Sequence, residues 1–192
     1  MPGGPDSSEA KNLSRGEDGS DLHGTFRLQL LSGFMRIRLI WEGKTRNSQL
    51  RALQEDYSAR VKHFTDLQIE EVRPPHGRSG SKAIRRDQGI SAAERQLLEK
   101  VGGSYKVLLD AGGRHWTSEE FAAWLNERAL RGTRELTFLV GAPEGFSAAF
   151  KKESDLLLAL SRMTFTREWA RVLLLEQIYR GLTVLHGYPY AK

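Results

Sequence analysis

The six residues Glu135–Val140, reading ELTFLV, restrict the fold more than any others in the chain. Leu136, Phe138 and Val140 alternate with Thr137 and Leu139 in an apolar run of strand length, with nothing charged to face water. A run of this kind reads as a strand buried in a sheet rather than lying at its surface. Gly141-Ala-Pro-Glu-Gly145 follows at once, and a new helix begins near Ser147. Two glycines around a proline let backbone N–H groups approach a ligand, because no side chain stands between. In open α/β sheets ligands sit beyond the carboxyl ends of strands, where this turn falls. A plain β-to-α connection has the same residues, so both readings stand open at this point. The turn is neither GxGxxG nor a P-loop, which argues against a dinucleotide or triphosphate site.

The rest of the chain repeats this alternation. Met35–Trp41 alternates as a first strand, with Ile37 and Leu39 on one face, and Gly43 ends it. Ser48 is placed to cap a helix in which Leu50, Leu53, Tyr57, Val61 and Phe64 recur at helical spacing. Leu67, Ile69 and Val72 predict a second strand, stopped by Pro74-Pro75. Ser91-Ala-Ala-Glu94 is a capping box that opens a helix through Leu97, Leu98 and Val101. Lys106–Asp110 is a short strand ended by Gly112-Gly113. Thr117 or Ser118 caps the next helix, with Glu119 and Glu120 in its first turn and Phe121, Leu125 and Ala129 facing inward. Asp155–Ser161 reads as a last buried strand and Arg167 to about Leu185 as a long final helix. Strands alternating with helices predict an α/β fold, a parallel sheet with helices on both faces.

The final helix is unusually apolar. Trp169, Val172 and Leu173 lie on one side and Leu175, Ile178, Leu182 and Leu185 on another. One stripe is enough for a helix on a core, so the second faces either more core or a partner subunit. Glu176 and Arg180 fall at i, i+4 and are spaced to pair.

Composition and charge narrow the chemistry. Across 192 residues, enough for one domain with a sizeable core, there is no cysteine, which excludes disulfides, a thiolate nucleophile and zinc–thiolate sites. The five histidines are scattered without ligand spacing, so no metal is expected. No apolar run approaches the ~18 residues of a membrane span. Residues 1–34 are rich in Gly, Ser and Asp, carry a net charge of −2 and lack a signal-peptide pattern; they read as a disordered extension. A different kind of sequence begins at Met35, a candidate start of translation. The expected setting is cytoplasmic. Residues 35–192 carry 26 basic and 19 acidic side chains, a net of +7. Their densest positive cluster, Arg78, Lys82, Arg85 and Arg86, lies in the glycine-rich stretch Pro74–Arg86. It is either a solvated loop or a segment that contacts RNA phosphates.

Several blocks together resemble the RlmH (YbeA-like) family of SPOUT-class methyltransferases. They are Leu109-Asp110 with Gly113 and Trp116, Ser118–Ala122, Gly141–Gly145, Leu160-Ser161 before Met163-Thr164, Ala170–Arg180 and Gly187–Tyr190. With the strand from Met35 and the basic stretch, the resemblance covers residues 35–192 in order. It implies a C-terminal trefoil knot, a homodimer, and methylation of N3 of a pseudouridine in 23S ribosomal RNA, naked or in the assembled ribosome. It implies S-adenosylmethionine as cofactor, held by Leu109, Gly141, Leu160, Ser161, Arg162, Met163, Thr164 and Phe165. An imide N–H is not nucleophilic until its proton leaves, so a base or a cationic field is needed. Tyr190 and Arg180 are the candidates, with His186 after them.

The family usually has a double glycine where Gly141-Ala142 stand, Pro-His at Thr166-Arg167, and Tyr-His with a basic residue where the chain ends Tyr190-Ala-Lys192. Two other readings stay open: a methyltransferase for another RNA, and a cofactor- or RNA-binding relative with impaired catalysis, which the two missing histidines favour.

Overall fold

The computed structural model describes residues 35–72, 89–141 and 145–190. Five strands, β1 (Arg36–Glu42), β2 (Leu67–Val72), β3 (Tyr105–His115), β4 (Glu135–Val140) and β5 (Leu156–Ala159), form one sheet in the order β2-β1-β4-β3-β5. Every pairing is parallel. β4 is the middle strand, and Leu136 to Val140, Thr137 included, are all buried. The apolar run is thus accounted for by a strand with neighbours on both edges and helices on both faces.

Among the described residues five helices cover the sheet: α1 (Ser48–Lys62), α2 (Ala92–Val101), α3 (Ser118–Leu130), α4 (Ala148–Lys152) and α5 (Arg167–Leu185). On one face Ile37, Leu39, Trp41, Val107, Phe138 and Leu158 meet Val61 of α1, Phe121 and Leu125 of α3, and Leu174, Leu175, Ile178 and Leu182 of α5. On the other face Ile40, Leu108 and Leu139 meet Val101 of α2 and the stacked pair Phe146 and Phe150 around α4, with Leu97 and Leu98 of α2 packed partly buried against them. α5 packs against both α1 and α3. Gly181 permits close packing on α3, since a Cβ there would come within 2.9 Å of Leu125 Cδ1.

Local details depart from the sequence reading in four places. Asn47, not Ser48, caps α1, its side chain accepting from the N–H groups of Gln49 and Leu50. Leu53 of the expected stripe is exposed, because α1 turns Gln54 and Ser58 inward beside Leu50 and Val61. β5 stops at Ala159, short of the expected Ser161.

The fourth departure is in β3, which runs on through Gly112-Gly113 to His115. Leu109 and Arg114 both align with Leu158 of β5, so the intervening residues bulge out of the ladder. Gly113 permits this. A Cβ there would lie 2.6 Å from the carbonyl of Leu157, backbone that cannot yield.

The capping box at Ser91/Glu94 forms as read, and of the two candidate caps of α3 it is Thr117 that takes the position, with Glu120 closing a second box. α5 spans the predicted residues. Its second stripe is buried through Leu175, Ile178 and Leu182, with Leu185 partly so. Of the first, Val172 is buried, Leu173 half-buried and Trp169 47 % exposed.

Candidate active site

Sheet register brings three predicted cofactor positions side by side. Leu109 aligns with Val140 on β4 and with Leu158 on β5. The residues that leave those strand ends, Gly141 and Leu160, therefore lie on either side of β3 beyond Leu109. Ser161 Oγ accepts from the N–H of Met163 and shapes the exit from β5. Arg162, Met163, Thr164 and Phe165 are exposed. Together these positions form an open floor rather than an enclosed pocket. A small cleft of about 40 Å³ lies between β5 and α3/α5, lined by Trp116, Thr117, Leu160 and Gln177 among others; of the predicted cofactor residues it touches only Leu160.

The glycine turn is anchored on both sides of residues 142–144, which lie outside the described residues. Gly145 has φ +74°, a left-handed conformation that glycine adopts without strain. The ring of Phe146 sits against Gly141, so that a Cβ there would meet it at 3.0 Å. Asp110 beside Leu109 pairs with Lys151 of α4 at 2.5 Å and accepts from the N–H of Gly112. Glu94 of α2 accepts from the N–H of Ser147 at 2.7 Å and from its hydroxyl at 3.0 Å. Gly141 and Gly145, with no side chains of their own, and the ends of β4 and β5 beside Leu109 fit a ligand bound through main-chain N–H and C=O groups.

Of the predicted catalytic side chains, Arg180 and Tyr190 are brought together. Arg180 makes a two-pronged pair with Glu176 at 2.6 and 3.0 Å and lies over the Tyr190 ring. The Tyr190 hydroxyl donates to Glu176 at 3.4 Å and is 3.2 Å from the Tyr57 hydroxyl. Burial, the Tyr57 hydrogen bond and the nearby Glu176 carboxylate push the Tyr190 phenol well above its ordinary value. The i, i+4 pair read from the sequence is therefore real, and it keeps the guanidinium charged: the Glu176 hydrogen bond raises the Arg180 pKa.

From Glu176 the contacts run toward the cleft. Gln177 donates to Glu176 at 2.6 Å and accepts from Ser118 Oγ at 2.8 Å. His186 stands apart from this chain. It ends α5, its Nδ1 is 2.7 Å from the Leu182 carbonyl, and its ring packs edge-on to Phe64.

Arg78, Lys82, Arg85 and Arg86 lie outside the described residues, as does all of 1–34. Among the described residues no cluster of His, Asp and Glu could hold a metal ion, and no helix is long and apolar enough to cross a membrane.

Sequence reasoning missed three participants. Tyr57 reads as one more apolar position of a helical stripe, and Glu94 as the second half of a local capping box. Arg171 is a charge hidden in an apolar run; it is fully buried and donates to Thr45 Oγ1 and the Glu42 carbonyl at the end of β1. Its neighbour Glu168 accepts from the N–H groups of Arg46 and Asn47, so the start of α5 ties down the β1–α1 connection. The one available signal was the charge itself, since an arginine between Ala170 and Val172 needs a partner if it is buried.

A family described as "Predicted SPOUT methyltransferase" matches residues 35–191. A protein of Geobacter sp. (strain M21), named Ribosomal RNA large subunit methyltransferase H, is 39% identical over 156 residues, covering 81% of this chain and 98% of its own length. Proteins of the same name from Geobacter metallireducens and from Porphyromonas gingivalis (strain ATCC 33277) are 38% and 37% identical, each over 81% of this chain and 98% of their own. A crystal structure titled as a probable methyltransferase from Bordetella pertussis Tohama I covers 82% of this chain and 99% of its own at 11% identity, with a TM-score of 0.48. With a family match over residues 35–191 and relatives of this identity along nearly their whole length, the chain belongs to the SPOUT methyltransferase family.

Proposed function

We propose that the chain is an S-adenosylmethionine-dependent methyltransferase that acts on N3 of a pseudouridine in 23S ribosomal RNA. The observation that carries this reading is the match along 98% of the Geobacter relative, whose name is that of a large-subunit ribosomal RNA methyltransferase. The adjacency of Leu109 in β3 to the ends of β4 and β5 supports a cofactor seat formed by Leu109, Gly141 and Leu160 to Phe165. Bound there, S-adenosylmethionine would supply an electrophilic methyl on its sulfonium, and these residues would hold it.

The chain's own residues prepare the nucleophile. Tyr190, held as a neutral phenol, serves as a hydrogen-bond donor and not as a base. Arg180 beside it supplies positive charge, so the pair favours the imide anion electrostatically. Thus the cationic-field option is better supported than a side-chain base. His186 is engaged with the end of α5.

The active unit is a cytoplasmic homodimer with a trefoil-knotted C-terminal segment. Met163, Phe165 and Trp169, 74 %, 43 % and 47 % exposed, give an apolar surface beside the open floor for a second copy to cover. Arg78, Lys82, Arg85 and Arg86 contact RNA phosphates, and residues 1–34 are a dispensable extension to the domain 35–192.

The test is methyl transfer from labelled S-adenosylmethionine to ribosomes of a strain lacking the gene, followed by base-resolved mapping. Label on N3 of one pseudouridine of 23S RNA is expected. Label on a different RNA supports the other-substrate reading. Cofactor binding with no transfer supports the impaired relative, which the absence of histidine at Arg167 and Ala191 favours.

A further inference from the structure

The connection Gly43–Asn47 between β1 and α1 is held more firmly than a turn of the chain requires. Thr45 is buried, and its Oγ1 accepts from Arg171 Nη1 at 2.9 Å and donates to Gln54 Oε1 at 2.8 Å. Its carbonyl accepts from Arg51 Nη2 at 2.5 Å and Nε at 3.2 Å. Glu168 of α5 accepts from the N–H groups of Arg46 and Asn47 at 2.7 and 3.2 Å. With Thr45 turned inward, its neighbours on either side, Lys44 and Arg46, stand exposed. Among the described residues neither side chain forms a salt bridge, and Glu168, the acid drawn to this segment, has both oxygens on backbone N–H groups.

Arg171 is the costly part of the arrangement. It is buried, its guanidinium lies 5.1 Å from the centre of the Trp41 ring, and it reaches the Glu42 carbonyl at 2.5 Å. Its Nε has no hydrogen-bond partner among the described residues, and burial pushes its pKa down. Apolar packing would stabilise a turn as well as a buried cation does. What directional bonds add is a fixed backbone, and this one carries two exposed cations outward.

Strand register shows where they stand. Trp41 of β1 aligns with Val140 at the end of β4, so the connection leaves the sheet beside Gly141. Glu168, which holds the connection, comes three residues after Phe165, so the same segment also borders the exit from β5. We propose that Lys44 and Arg46 contact backbone phosphates of the RNA next to the methylated nucleotide, presented in a fixed place by Arg171 and Glu168. This deepens, and rests on, the methyltransferase reading above. A base brought to the cofactor floor carries its phosphates to the rim of that floor, and cations on a backbone already held there lose less freedom on binding. Arg78, Lys82, Arg85 and Arg86 are argued from charge alone; Lys44 and Arg46 have a place in the fold as well.

The test compares Lys44→Ala/Arg46→Ala with Lys62→Ala/Arg131→Ala, which removes the same charge from the ends of α1 and α3, at the opposite edge of the sheet. All four side chains are exposed, so both variants should fold. Binding to ribosomes of a strain lacking the gene is titrated at several salt concentrations, with S-adenosylhomocysteine binding followed by calorimetry. The rim variant should flatten the log–log salt slope by roughly 1.4–1.8, the value for two lost phosphate contacts. Its KM for RNA should rise, with kcat and cofactor affinity held, while the control keeps the parent's slope.

Equal slopes in the rim variant and the parent overturn the inference. So does an equal flattening in the control, which reports net charge alone, and so does loss of cofactor binding in the rim variant, which assigns the two cations to the cofactor seat. Glu168→Gln separates placement from charge. It makes the rim more positive but loosens it, and should weaken RNA binding with the salt slope kept; binding as tight as the parent's or tighter overturns the positioning role. A parent that transfers no methyl to RNA fails the reading on which this rests, whereas equal slopes in a parent that does transfer fail this inference alone.

Discussion

The two faces of the sheet share the same five strands but are covered very differently. One face carries α1, α3 and α5, and its core takes in side chains from all five strands and three long helices. The other carries the ten-residue α2 and the five-residue α4, and its buried set is Ile40, Val101, Leu108, Leu139, Phe146 and Phe150. The first face is held by apolar area, a non-directional term that tolerates small shifts. The second has less area, and polar links such as Glu94 to Ser147 and Lys151 to Asp110 complete it. Ser147, at the start of α4, belongs to this thinner side and is held there by hydrogen bonds that a substitution can remove without dissolving the fold.

The largest effect expected from this contrast is on stability. Phe138→Ala opens a hole in the thick face, where Phe121 and Trp124 pack on the same ring, and should cost about 3–5 kcal/mol in denaturant unfolding. Phe150→Ala removes an equally buried ring, but from a short helix at the protein's edge that can collapse inward, so its cost should fall near the low end, about 3 kcal/mol. Equal costs would mean that the thin face is as rigidly built as the thick one.

A smaller effect on stability and a larger one on binding are expected for Gly141→Val. Its side chain must push the Phe146 ring, the flexible partner, rather than backbone. The protein should fold, and S-adenosylhomocysteine binding by calorimetry should be lost. Unchanged affinity in the folded variant would remove the turn from the cofactor site.

The smallest change concerns the thick face's polar edge at Tyr190. Its phenol is raised above the ordinary value of 10.0, so the neutral form is favoured in the folded state. The stability this contributes is complete below pH 10 and is lost as pH rises toward the folded value. A spectrophotometric titration should leave Tyr190 protonated when exposed tyrosines have ionised. Tyr190→Phe should remove that late component and reduce methyl transfer while barely altering the melting temperature. Ionisation of all tyrosines in one step near pH 10 would contradict the hydrogen-bonded placement.

Much of this was legible from residue order. The apolar run Leu136–Val140 announced the middle strand, and Ser91/Glu94 and Thr117/Glu120 announced two helix starts, because these signals act within a few residues. Leu109, Gly141 and Leu160 were singled out through resemblance, and only strand register shows that they lie near one another. The course of β3 through Gly112-Gly113 was not legible. Glycine weakens a strand on its own, and only the closeness of β5 makes Gly113 fit there. Nor was the buried state of Arg171, whose partners Thr45 and Glu42 lie about 130 positions away.

What the sequence determined alone is whatever depends on period and local capping: a parallel α/β sheet, its helices, and an apolar final helix longer than one stripe explains. Tertiary structure decided which groups share a proton or a charge. Glu176 could have been read as a simple partner for Arg180. Folding back the chain's end adds Tyr190 and Tyr57 to the same carboxylate and turns a helix-surface pair into a network. Glu94 likewise changes from a local cap into a strut between two helices. The reason is physical. Backbone preference is set by neighbours in sequence, whereas the environment of a charged group is set by whatever the fold packs around it.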